Sequence, residues 1–347
     1  MDYFLEEILS QPRVLRATVD RYVKDDSLLR AVSEVRNRGE YHLVLLTGMG
    51  SSYFAFYPAC IYLNEHGLPA IMAETSELLH YYGGLVSERV LVVIASQSGE
   101  TVEVKRLLGE LSDRTLIMSV TNDADNHLAG NSDLPLFLCA GAERGPASKT
   151  YTATLAVAYL SAMYLTSTVS KERTQPLYAA ADAMEAFLER WEEKIRGLTG
   201  FLGETDCLSL LGRGPSLASA MAGALILKEA TKIRAEGMSG GQFRHGPLEV
   251  VTPDFAAVVF ATKGRTRDIN LRLARDIAEF GGKVVIVDSD KELEGERIFN
   301  LVLPPLDEFC TPLLEILPIQ LLSWSAATER GLQPGRFDKA AKVTLYE

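Results

Sequence analysis

The 347-residue chain carries 35 Lys and Arg against 46 Asp and Glu, a formal net charge of −11, and its basic residues are dispersed. That excludes the clustered cationic face that nucleic acid or an anionic membrane surface requires, while a small anion held by backbone amides is still possible. No apolar run reaches the roughly 20 residues of a membrane span, and the acidic start MDYFLEEILSQP lacks the basic region of a signal peptide, so a soluble cytoplasmic protein is expected.

Residues 1–38 read as leading helices. A first round of short apolar runs follows at 41–48 (YHLVLLTG), 68–74 (LPAIMAE), 90–96 (VLVVIAS), 115–121 (TLIMSVT) and 135–139 (PLFLC), with helical patterns between them. Residues 151–198, rich in Ala, Leu, Met, Glu and Lys, read as joining helices. A second round has strands at 206–212, 256–262, 283–288 and 299–303, then a long apolar helix at 311–330 and the tail GLQPGRFDKAAKVTLYE. Continuous apolar strands alternating with helices predict an α/β protein whose mainly parallel sheets are covered on both faces. The expected division is 1–38 leading helices, 39–170 first domain, 171–198 connecting helix, 199–332 second domain and 333–347 tail. Cys60, Cys139, Cys207 and Cys310 lie far apart, with no C-x-x-C pair or histidine cluster; reduced, mostly buried thiols and no metal are expected.

Two strand ends differ from the rest: TGMGSSYFA (47–55) after the first strand and SQSGET (96–101) after the third. In open parallel sheets, ligands bind where the carboxyl ends of strands converge. Glycine lets the backbone turn closely around a ligand, and a helix start offers free N–H groups to a dianionic phosphate. Ser51, Ser52, Ser96, Ser98 and Thr101 add hydroxyl donors without adding charge. Each hydroxyl alone has a plainer reading as a helix N-cap, but five at two neighbouring strand ends exceed what capping needs. GMGSSYFA lacks the third glycine of the dinucleotide fingerprint, and no G-x-x-x-x-G-K-[ST] loop is present. A monophosphorylated sugar fits these loops better than a nucleotide.

The segments EEILSQPRVL, GMGSSYFA, AETSELLHY, ASQSGETVEV, ERGPASKTYT, LGRGPSLASAMAGALILKEA, RAEGMSGGQFRHGP and AAKVTLYE occur in this order along nearly the whole chain. Together they resemble the sugar-isomerase (SIS) domain family, and within it the isomerase half of glucosamine-6-phosphate synthase and its stand-alone relatives. The resemblance implies two flavodoxin-like, three-layer SIS domains, an open-chain hexose 6-phosphate as ligand, and a homodimer with a shared active site to which the tail contributes. It implies no metal and no organic cofactor. It assigns the phosphate and sugar contacts to Ser51, Ser52, Ser96, Gln97, Ser98 and Thr101.

Three residues are candidates for chemistry. Glu229, in LILKEATKI, is a carboxylate beside an apolar helix face, suited to moving a proton between C1 and C2 once desolvated. His245, in GQFRHGP, is suited to protonating the ring oxygen and opening the ring; in the family the matching residue comes from the partner subunit. Lys342, in AAKVTLYE, matches the lysine that forms a Schiff base with the ketose in the synthase, a role that requires the neutral amine. One departure stands out: the synthase has a lysine three residues before its catalytic glutamate, and Ile226 is there instead. Nothing resembling the glutamine-hydrolysing domain precedes the isomerase half, so release of ammonia from glutamine is not expected.

The leading expectation is an enzyme acting on an amino-sugar phosphate, a glucosamine-6-phosphate deaminase or isomerase. The alternatives are a deglycase of 6-phosphorylated fructosamine–amino acid adducts and a sugar-phosphate sensor without turnover. The stretch before the first strand is too short and too acidic for the helix-turn-helix domain of such regulators, and the retention of Glu229 and His245 also favours an enzyme.

Overall fold

Branched and aliphatic runs buried on both faces become the strands. The clearest is VLVVIA, Val90–Ala95, in which all six side chains are buried, as the middle of a helix-covered parallel sheet requires. The computed structural model describes residues 2–24, 27–38, 41–112, 114–339 and 341–344. Positions 340 and 345–347 of the expected tail lie outside the described residues.

Helices α1 (Tyr3–Leu9), α2 (Gln11–Val23) and α3 (Ser27–Arg38) come first. They precede β1 (Leu43–Gly48), α4 (Gly50–Phe54), α5 (Tyr57–Glu65), β2 (Ala70–Glu74), α6 (Thr75–His80), β3 (Val90–Ala95), α7 (Val102–Glu110), β4 (Leu116–Thr121), α8 (His127–Gly130) and β5 (Leu134–Phe137). Then come α9 (Lys149–Leu165), α10 (Lys171–Leu188) and α11 (Trp191–Leu202). The second round runs β6 (Cys207–Gly212), α12 (Leu217–Thr231), β7 (Arg234–Ser239), α13 (Gly240–Arg244), β8 (Ala256–Phe260), α14 (Arg267–Glu279), β9 (Lys283–Asp288), β10 (Ile298–Val302) and α15 (Thr311–Glu329).

The strands form two five-stranded sheets, ordered β2-β1-β3-β4-β5 and β10-β9-β8-β6-β7. Every pairing is parallel. The α/β class and the two parallel sheets expected from the sequence are therefore present. Each sheet belongs to its own compact unit. The first-sheet unit comprises Arg13–Glu143, Lys149–Tyr178 and Asp338–Glu347, and the second-sheet unit comprises Met1–Pro12, Arg144–Ser148 and Ala179–Phe337. In the first, Leu45, Val92, Ile94, Val104, Ile117 and Leu128 form one core cluster. In the second, Leu211, Val259, Leu271, Ile277, Val284 and Ile286 do the same.

The sequence reading missed β7. RAEGMS contains no apolar run because β7 is an edge strand that pairs only with β6 and leaves Arg234 and Glu236 exposed. The expectation of mostly buried thiols also needs correction: all four cysteines are free, but Cys139 and Cys207 are exposed and only Cys310 is buried. Among the described residues, no helix is long and apolar enough to cross a membrane.

Candidate functional site

In the first-sheet unit, β1 and β3 are neighbours, with Gly48 opposite Ala95, so the loops that leave their carboxyl ends lie side by side. Helix α4 starts in the first loop, with Met49 at its N-cap and no side-chain cap bond. The hydroxyls of Ser51 and Ser52 are thus not used to cap their own helix. Thr101 is the N-cap residue of α7, yet its side chain makes no cap bond, and its Oγ1 is buried without a hydrogen-bond partner. Ser96 Oγ accepts from the Gly99 N–H and Ser98 Oγ from the Glu100 N–H, both at 3.2 Å, which leaves their O–H groups as donors. Gln97 is half-buried, and its carbonyl accepts from the Asn122 N–H at 3.1 Å.

The turn between them depends on Gly99. Its φ of +65° lies in the left-handed region, and a Cβ there would come within 1.9 Å of Asn126 Oδ1. Asn126 is committed elsewhere: its Oδ1 caps α8 by accepting from the Ala129 N–H at 2.9 Å, while Nδ2 donates to Thr121 Oγ1 at 3.1 Å. Glu100 is structural too, accepting from the His127 N–H and pairing with Lys105 at 2.6 Å.

The tail reaches the same loops. The N–H of Val102, first residue of α7, donates to the Thr344 carbonyl at 3.1 Å. Two positions earlier, Lys342 Nζ lies 2.9 Å from Glu143 Oε2. The Glu143 carboxylate also accepts from the Thr150 N–H at 3.1 Å and the Thr150 hydroxyl at 2.6 Å. Burial pushes the Glu143 carboxyl up, but the Lys342 charge and the Thr150 and Lys342 hydrogen bonds outweigh it, so its pKa falls below the ordinary carboxylate value. The ammonium of Lys342 therefore sits against an ionised carboxylate.

Glu229 and His245 lie in the second-sheet unit. Glu229 is half-buried near the C-terminal end of α12, whose left-handed C-cap residue, Lys232, donates from Nζ to the Glu229 carbonyl at 2.6 Å. His245 is exposed and follows α13; Gly246 next to it has a φ of +117°, which turns the chain into Pro247. Ile226 is 0 % exposed, so its side chain packs in the core of its unit. A cavity of about 780 Å³ in this unit, lined by Leu208, Leu227, Thr231, Lys232, Leu322 and Arg330 among others, opens at the amino end of β6, away from the strand ends. Among the described residues no group of His, Cys, Asp and Glu is placed to hold a metal.

The SIS domain family model matches residues 27–164 and 205–330. The chain belongs to the SIS domain family. A glutamine–fructose-6-phosphate aminotransferase of Methanothermobacter thermautotrophicus is 30 % identical over 351 aligned residues, covering 99 % of this chain and 58 % of its own length. The chain thus spans a little under three-fifths of that relative. Among solved structures, the C-terminal domain of the glucosamine-fructose-6-phosphate aminotransferase of Francisella tularensis aligns with a TM-score of 0.87 at 26 % identity, covering 98 % of both chains. A glucosamine-6-phosphate deaminase of Thermotoga maritima aligns with a TM-score of 0.78 at 21 % identity, covering 99 % of this chain and 100 % of its own, a likeness of fold alone.

Within this SIS chain the structure brings Ser51, Ser52, Ser96, Gln97, Ser98, Thr101 and Lys342 to one end of one sheet. The residue that sequence reasoning did not single out is Glu143. Its only signal was a position inside ERGPASKTYT, and no local pattern reveals a carboxylate that will be buried against a lysine far along the chain.

Proposed function

We propose that the chain processes a hexose 6-phosphate, specifically an amino-sugar 6-phosphate, as a deaminase or isomerase of the SIS type. The observation that carries this reading is the set of uncommitted hydroxyls at two adjacent helix starts. Ser51, Ser52 and Thr101 do not cap the helices they begin, and the Thr101 hydroxyl is buried without a partner. Leaving a buried hydroxyl unpaired costs about 1–3 kcal/mol, a cost that a bound ester phosphate would offset. The family and the aminotransferase relatives support a phosphosugar as the ligand.

In this reading the hydroxyl loops hold the inert phosphate end. His245 gives a proton to the ring oxygen as the ring opens, and Glu229 takes the proton from C2 and returns it to C1. For an amino sugar this leaves an iminium at C2; water adds there and ammonia departs, giving the ketose 6-phosphate. Lys342, the candidate Schiff-base amine, is paired with Glu143 and joins the cradle through the contact of Thr344 with the start of α7. The buried Ile226 supports deamination or isomerisation over synthesis, because no amine stands at that position.

The test is a panel of glucosamine 6-phosphate, fructose 6-phosphate with ammonia, and a 6-phosphorylated fructosamine adduct, run on wild type, Glu229→Gln and His245→Ala. Turnover of glucosamine 6-phosphate that both substitutions abolish supports the proposal. Turnover of the fructosamine adduct alone would reassign the chain as a deglycase, and binding without turnover of any of the three would make it a sensor.

A further inference from the structure

The two sheets repeat one order. Read from its β7 edge, the second runs β7-β6-β8-β9-β10, strand for strand the order β2-β1-β3-β4-β5 of the first. The loops after β6 and β8 therefore take the places that the GMGSS and SQSGET loops take after β1 and β3. They too present hydroxyls: Ser216 and Ser219 around the start of α12, and Thr262 just past β8. Here the hydroxyls are committed, and all to one carboxylate. Ser216 Oγ donates to Glu315 Oε1 at 2.8 Å, Ser219 Oγ to Oε2 at 2.7 Å, and Thr262 Oγ1 to Oε1. Glu315 and Ser219 are both 0 % exposed. Every group bonded to this carboxylate is a neutral hydroxyl, so Glu315 is not half of an ion pair.

The position of Glu315 in its helix completes the comparison. It is the fifth residue of α15, the helix that follows β10; the fifth residue of α9, which follows β5 in the first-sheet unit, is Ala153. A methyl group at that place reaches no hydroxyl loop. A glutamate there carries two acceptor oxygens into the space between them.

We propose that the second-sheet unit contains a closed counterpart of the phosphate cradle, in which the Glu315 carboxyl occupies the place of an ester phosphate, so that each chain has one open cradle and not two. The proposal rests on the reading of GMGSS and SQSGET as a phosphate cradle. A phosphate could enter the second copy only by displacing three short hydrogen bonds and settling next to another acid, and both requirements exclude it. Glu315 is thus a specificity element by occupancy: it confines phosphosugar binding to one unit of a repeated fold.

Titration calorimetry of the full chain with inorganic phosphate tests this. Wild type is expected to take up one equivalent per chain, lost in Ser98→Ala/Thr101→Val. Glu315→Ala is expected to take up a second equivalent, lost again when Ser219→Ala is added, while Glu315→Gln, which keeps the space filled, stays at one. Two equivalents on wild type, or no second equivalent on folded Glu315→Ala, overturns the proposal. If Glu315→Ala is unfolded in phosphate-free buffer, phosphate should refold it by mass action, and a chain that stays unfolded at every phosphate concentration also overturns it. A wild type that binds no phosphate refutes the open cradle of the first-sheet unit, whereas an equivalent gained by Glu315→Ala still reports on the closed one.

Discussion

Lys342 and Glu143 are 199 positions apart in the chain and 2.9 Å apart in the fold. The carboxylate side chain is 0 % exposed and the lysine 25 %, so the pair stands at the edge of the interior with the lysine as its outer member. The sequence reading gave Lys342 the role of a Schiff-base amine, which requires loss of its proton. The partner found here is a buried carboxylate whose pKa lies below the ordinary value, with Glu143 Oε2 2.9 Å from the amine nitrogen.

Removing one member of the pair should therefore be worse than removing both. Lys342→Met takes the cation away from a buried carboxylate, and a loss of about 1–3 kcal/mol is expected; in Lys342→Met/Glu143→Gln much of that should return. The pKa of Glu143 is depressed in the folded chain, so the stabilisation is fully present above the ordinary value of 4.5 and is lost as pH falls through the folded value. Urea denaturation of wild type and Glu143→Gln between pH 7 and pH 3 should show a shallower acid decline for the variant. Parallel curves would disprove the linkage.

Thr101→Val should separate stability from binding. It deletes a buried, unpartnered hydroxyl and keeps the side-chain shape, so stability without ligand is expected to hold or rise by up to about 1 kcal/mol. Affinity for a phosphosugar should fall roughly 10- to 100-fold, the worth of one hydrogen bond to a charged group. Ser98→Ala should likewise raise KM and leave kcat at saturating substrate near wild type. Thermal melts and saturation kinetics read both, and a Thr101→Val chain with lower stability and unchanged KM would refute the cradle.

Gly99→Ala should damage the SQSGET turn itself. The left-handed φ costs a non-glycine residue about 1–2 kcal/mol, and the new methyl must also push Asn126 off the α8 cap, worth about 1 kcal/mol more. A combined loss of about 2–3 kcal/mol in chemical denaturation is expected, accompanied by weaker phosphate binding. A loss below about 0.5 kcal/mol would mean that the turn relaxes without cost.

Glu315→Gln should change how stability responds to rising pH. Burial raises the Glu315 carboxyl above its ordinary 4.5, against the hydrogen bonds from Thr262, Ser219 and Ser216. In the window between the unfolded and folded values, the folded chain keeps a proton that the unfolded chain releases, so wild-type stability declines as pH rises through that window. Glu315→Gln has no such proton and should lack that decline. The gap between the two denaturation curves should move in favour of the glutamine variant on going from pH 4 to pH 7; a gap that moves the other way reverses the sign of the linkage.

What was legible in the sequence was whatever local pattern encodes. The runs at 90–96 and 283–288 became β3 and β9 because burial on both faces demands unbroken apolar residues. RAEGMS stayed hidden because an edge strand may be polar on its open side. Ser98 and Thr101 were legible as residue types, but whether they cap α7 or leave their hydroxyls unspent is decided by rotamers, which no spacing rule gives. Glu143 and Glu315 were not singled out for a related reason. Reading 311–330 as an apolar helix passes over the one acid in its interior, and only the fold shows that this acid meets three hydroxyls from elsewhere in the chain.

Residues past Asp338 finish the unit that Arg13 begins, while the first twelve residues belong to the unit that ends at Phe337. A chain leaving the ribosome makes the first sheet early, yet the ion pair and the Thr344 tether must wait until the whole second sheet and α15 have been made. Closing so long a loop adds little entropy beyond that of a shorter one, so the delay is one of order, not of stability. Until β10 and α15 have emerged, the growing chain has the GMGSS and SQSGET loops but neither the Lys342–Glu143 pair nor the contact that Thr344 makes with α7.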